Sequence, residues 1–65
     1  MIKVTRLDGM EYYLNPHQIE SIEINPDTTL LMLSGKHHIV REGADVVLEK
    51  ISACFRSLTP LIVQE

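Results

Sequence analysis

Three histidines, one cysteine and nine carboxylates are the side chains in this 65-residue chain that could do chemistry. Metal binding is the first possibility their types suggest. His37 and His38 are adjacent, and neighbouring side chains in a strand point to opposite faces, so they make a poor bidentate pair. His17 lies on a turn well upstream. All three read as solvated or rim histidines; a metal shared between subunits is the sharper alternative. Cys54 lies on an apolar stripe and reads as a buried small hydrophobe, with a reactive or intermolecular thiol as the alternative. A single cysteine argues against a disulfide scaffold and suits the cytosol.

Acid–base and nucleophilic chemistry find no better footing. Asp8, Glu11, Glu20, Glu23 and Asp27 fall on turns or on wet strand faces, and nothing sets one beside a nucleophile as covalent catalysis requires. Ser21, Ser34, Ser52 and Ser57 have no motif around them. Gly35-Lys36 lacks the preceding glycines and the following helix of a phosphate-binding loop. A chain this short also has little room for a deep cleft. The expectation is a protein with no enzymatic activity, no cofactor and no metal. Lys36, His37, His38 and Arg41 do make one hairpin locally basic, which suits an acidic partner or simply water.

The formal charge is −3, from nine acids against six bases. A general nucleic-acid binder wants a basic stripe, and base-stacking platforms need more aromatics than Tyr12, Tyr13 and Phe55. No nucleic-acid partner is expected. No leader precedes Ile2 and no apolar run approaches membrane-spanning length, so neither secretion nor insertion into a membrane is expected. A domain of this size buries only about 60% of its unfolded surface. Such chains lean on disulfides, a metal or a partner, and the partner is the option left.

The elements around these residues follow from periodicity. Residues 1–65 read as one domain, with strands at about 2–7, 11–14, 19–24, 29–33 and 37–41. Asp8-Gly9 and Ser34-Gly35-Lys36 are hairpin turns. Asn15 is placed to cap a single helical turn starting at Pro16. Ile19 falls off the phase of Ile22 and Ile24, which indicates a bulge. Ala44, Val47, Leu48, Ile51, Cys54, Phe55 and Leu58 recur at three and four, predicting a helix over about 44–58. Pro60 should end it near Leu58 to Thr59.

The fold class expected is α+β: a small antiparallel meander of four to five strands with one C-terminal helix packed on it. Curling of the strands would make the sheet barrel-like; the runner-up is an extended sheet completed only in a dimer. Thr29 to Leu33 is apolar on both faces, more than a two-layer fold needs. Leu30 and Met32, together with the tail Leu61, Ile62 and Val63, are therefore the candidate protein interface. That tail could add a strand, pack beside the helix or dock on a neighbour.

The order of turns also carries a resemblance. Met1-Ile2-Lys3-Val4-Thr5-Arg6-Leu7-Asp8-Gly9 is followed by Tyr13-Leu14-Asn15-Pro16, Ile19-Glu20, Pro26-Asp27-Thr28, Gly35-Lys36 and Val40-Arg41-Glu42. Over residues 1 to about 52 this resembles the FlbD family of small flagellar proteins, whose members include the swarming-motility protein SwrD. The resemblance implies a bacterial, cytoplasmic protein, peripheral to the flagellar base, that supports flagellar assembly or motor power through protein–protein contacts. It implies flagellar motor or assembly proteins as partners and supplies no catalytic or binding residues. Gly43 stands where the family tends to have serine, and His38 where an aromatic is usual. The apolar tail departs from the family's polar or basic ending and favours self-association, as a dimer or larger. A purely structural homo-oligomer and a small RNA-binding regulator are the alternative readings.

Overall fold

Alternation of apolar and polar residues decides which way each strand faces. In β1 (Ile2–Thr5), Ile2 and Val4 point together and both are buried. β2 (Glu11–Leu14) pairs with it antiparallel, setting Leu14 opposite Ile2 and Tyr12 opposite Val4. These four side chains share the inner face, while Lys3, Thr5, Glu11 and Tyr13 share the outer one. The hairpin between the strands turns at Gly9, whose φ of +97° is a backbone region that glycine enters freely. Asp8 stabilises the same turn, accepting the Met10 amide at 3.0 Å and pairing with Arg6. The Arg6 guanidinium, followed by the Met10 amide, holds the Asp8 carboxyl below the usual range. The computed structural model describes the backbone of residues 1–64 and the side chains of residues 1–56.

Pro16 ends β2 because it has no amide hydrogen for a ladder. It opens a single 3-10 turn, Pro16–Gln18, and the Asn15 side chain caps that turn by accepting the His17 amide at 3.0 Å. Beyond it, β3 (Ile19–Glu23), β4 (Thr29–Met32) and β5 (His37–Ile39) form a second antiparallel sheet in that order. The register slips between Ile19 and Ser21, the bulge that brings Ile19 back onto the core face. The Asn25–Pro26 peptide in the β3–β4 turn is cis. Gly35, at φ +92°, closes the β4–β5 hairpin.

The strands therefore form two sheets, of two and three strands, where one continuous meander was expected. The 3-10 turn separates β2 from β3, so those neighbours do not pair. The two sheets meet instead at one antiparallel bridge between Arg6 and Val40, with the Arg41 amide donating to the Thr5 carbonyl at 2.8 Å. They do not close into a barrel. After Val40 the chain turns through Glu42-Gly43 into the helix, and the helix then occupies the edge of β1 along which further pairing would run.

Helix α1 spans Ala44–Gln64. The Gly43 carbonyl accepts the Val47 amide at 3.1 Å, and Asp45 in the first turn suits the positive end of the helix. Val47 is buried, and Ile51 and Cys54 are half-buried against the core. Leu48 and Phe55 are exposed. Among the described residues the buried seam is thus narrower than the apolar stripe, with Val47, Ile51 and Cys54 turned to the core. The helix also passes Pro60 instead of stopping at Leu58 or Thr59. A proline lacks one backbone donor to the preceding turn, and here the helix continues with that bond missing. The tail residues 61–64 accordingly add no strand.

The core is the space between the two inner faces. Ile2, Val4, Leu14, Leu30, Met32, Val40 and Val47 fill it, and Tyr12, Ile19 and Ile22 border it. Burying each such aliphatic side chain contributes about 1.5–3 kcal/mol relative to leaving it exposed.

Candidate protein-contact surface

The residues first expected to meet a partner are divided by the fold. Leu30 is 0% exposed and Met32 7% exposed. They are core side chains, packed among this chain's own strands and helix. The reason is the register: Leu30 lies between Ile22 and His38 across the sheet, and Met32 lies beside Ile19. The opposite face of β4 carries Thr29 and Leu31, with Leu33 just beyond at 59% exposure. The side chains of Leu61, Ile62 and Val63 lie outside the described residues.

The histidines disperse. His37 is exposed on the outer face, while His38 turns inward and shares a 3.2 Å hydrogen bond with the Tyr12 hydroxyl. Burial raises the Tyr12 phenol above its ordinary value, opposed by Arg6 and aided by Glu42. His17 sits against Phe55, ring centroids 5.0 Å apart. Among the described residues no group of three or more histidines, cysteines or carboxylates gathers where it could hold a metal. Lys36 and His37 remain exposed on the basic hairpin, whereas the Arg41 guanidinium is turned to the Leu7 carbonyl, at 2.8 and 3.0 Å.

The most developed polar cluster is one that the sequence did not signal. Glu42 follows β5 and precedes α1, and its carboxylate accepts the Thr5 amide and the Thr5 hydroxyl, each at 2.9 Å. Lys50, two turns into the helix, approaches the same carboxylate to 3.7 Å and donates to the Lys3 carbonyl. Burial works to raise the Glu42 carboxyl. The Thr5 amide, Glu42's own amide, the Thr5 hydroxyl and Lys50 outweigh it, and the carboxyl lies below the ordinary glutamate value. The cluster joins three parts of the chain: β1 through Thr5, the β5–α1 connection through Glu42, and α1 through Lys50. It fixes the helix to β1, as a positioning device for the surfaces around it. A glutamate directly before a helix would have been the only hint, and its partner Thr5 is 37 residues away.

That architecture corresponds to a known family. The family model for flagellar and swarming motility proteins, FlbD, matches residues 1–59. The chain belongs to the FlbD family. The match takes in all five strands, the Glu42 cluster and α1 as far as Thr59, so the part of this FlbD protein that forms the two sheets and the core is the part the family shares. Membership ties the chain to flagellar and swarming motility. Neither the curated proteins nor the solved structures contain a significant match to this FlbD chain. No helix among the described residues is long and apolar enough to cross a membrane.

Proposed function

We propose that this FlbD-family protein is a non-enzymatic accessory of flagellar motility, cytoplasmic and peripheral to the flagellar base, that supports flagellar assembly or motor power by binding other proteins. The family match over residues 1–59 carries this reading. The surface is consistent with it: Leu33, Ile39, Leu48 and Tyr13 are exposed apolar side chains on a domain whose own core is small. With Leu30 and Met32 committed to the core, the contacts fall to side chains the fold leaves outside, and to the tail Leu61, Ile62 and Val63.

The test is deletion and complementation in a flagellated host carrying this gene. Loss should reduce swarming, and the wild-type chain should restore it. Filament counts and the rotation of tethered cells under load then separate assembly from power: normal filaments that turn weakly mean motor power, and few filaments mean assembly. Unchanged swarming, filament number and torque after deletion would overturn the proposal.

A further inference from the structure

The edges of the two sheets are not equally guarded. β1 is closed on its far side: the Thr5 amide goes to Glu42, the Thr5 carbonyl receives the Arg41 amide, and the Lys3 carbonyl receives Lys50. β5 is tied to β1 at the Arg6–Val40 bridge. β3 carries a bulge and exposed Glu20 and Glu23, the devices by which natural sheets discourage edge pairing. β2 has no such tie and no bulge, and its exposed Glu11 is paired across its own sheet with Lys3 at 4.0 Å. It is an unbulged Glu-Tyr-Tyr-Leu strand without proline, lysine or a covering loop.

The ladder shows which backbone groups β2 presents. The Arg6 amide bonds to the Met10 carbonyl at 2.8 Å, whereas Thr5 points its amide and carbonyl away from β2. In an antiparallel pair these directions alternate, so Tyr12 and Leu14 bond to β1. Glu11 and Tyr13 turn their amides and carbonyls outward, where no described residue meets them.

We propose that the β2 edge pairs with the β2 edge of a second copy of this chain, joining two two-stranded sheets into one of four strands. The strand is self-complementary in this arrangement. A two-fold axis through Tyr12 sets Glu11 of one chain opposite Tyr13 of the other, so the outward groups exchange four backbone hydrogen bonds. The same register never sets Glu11 directly against Glu11. On the outer face each row of side chains then reads Lys3, Tyr13, Glu11 of the second copy, and its Thr5. A base and an acid thus flank each tyrosine, which in the single chain is 62% exposed. An interface of one short strand is small, and the association is therefore concentration-dependent. The inference rests on edge geometry alone and is independent of the motility role.

Sedimentation velocity on the full chain over a concentration series, with amide spectra of the same samples, tests it. The expected result is a mass rising from one chain toward two, with the Glu11 and Tyr13 amides shifting most. Tyr13→Pro removes an outward amide while leaving the β1 ladder its donors, and should hold the protein monomeric. Should that variant lose its fold, Tyr13→Glu serves instead: it sets two glutamates opposite each other and should also give monomers. Adding Glu11→Lys to Tyr13→Glu places lysine opposite glutamate, and dimerisation should return. A wild-type chain that stays monomeric at millimolar concentration overturns the proposal. So does a dimer that persists in folded Tyr13→Pro or Tyr13→Glu, or a double variant that fails to recover it.

Discussion

Glu42 receives both donors of Thr5, the amide at one carboxylate oxygen and the hydroxyl at the other, each at 2.9 Å. The amide points to the side of β1 where a neighbouring strand would otherwise sit. One carboxylate from the end of the β-region and one ammonium from the helix, Lys50, thus stand in for a strand. The edge of β1 is sealed, and the helix is held in register with it.

Replacing Glu42 should therefore cost more than a surface residue would. Glu42→Ala leaves the half-buried Thr5 amide and hydroxyl without their acceptor and Lys50 without its counter-charge. A loss of about 2–3 kcal/mol is expected from the price of unmade hydrogen bonds to a charged group. Urea unfolding of the two chains measures it. Thr5→Val, which keeps the amide bond and loses the hydroxyl, should cost about 1 kcal/mol.

The same site should respond to acid. The folded Glu42 carboxyl lies below its ordinary value, so in the window between the two values the unfolded chain binds the extra proton. Its contribution is fully present above the unfolded value of about 4.3 and is lost as pH falls through the lower, folded value. Thermal midpoints recorded from neutral pH downward should fall more steeply in wild type than in Glu42→Gln across the window between the unfolded and the lower, folded value. Parallel slopes would remove Glu42 from the account of acid sensitivity.

Leu30 and Leu33 should separate the two faces of the same chain segment. Leu30→Ala empties space at the centre of the core and should destabilise by about 2–5 kcal/mol. Leu30→Asp should not fold. Leu33→Asp, on an exposed residue, should stay within about 0.5 kcal/mol of wild type. Circular dichroism and urea midpoints of the three variants decide it.

Gly35 isolates a backbone effect from a packing one. Its φ is +92°, and a Cβ built there would meet nothing within 4 Å. Gly35→Ala should therefore cost about 1–2 kcal/mol through left-handed strain alone, and Gly35→Asn less, because asparagine tolerates such backbone. Equal midpoints for Gly35→Ala and wild type would contradict that reading.

Local chemistry was legible in the order of residues. Asp8-Gly9 and Gly35 made turns because only certain residues accept positive φ or bond their own backbone. Asn15-Pro16 made a capped turn for the same kind of reason, and period-two alternation in Ile2, Val4, Tyr12 and Leu14 set the inner face. The presence of five short strands and one helix followed from such signals, which act over a few residues. The sequence of turns also carried the family resemblance that the match over residues 1–59 bears out.

What required tertiary structure was the side of each element that found cover. Thr29 to Leu33 is apolar on both faces, and periodicity could not say that Leu30 and Met32 lie inside. That depended on β4 being central in its sheet with the Ile2–Val4 face lying across from it. Nor could the helix pattern tell that Val47, Ile51 and Cys54 meet the core while Leu48 and Phe55 do not, since the width of a buried stripe is set by the partner's shape. The Glu42–Thr5–Lys50 cluster was the least visible of all. Its members are scattered along the chain, and a hydrogen bond between residues 37 positions apart leaves no periodic trace. It exists because the chain returns to β1 beside the Arg6–Val40 bridge between the two sheets.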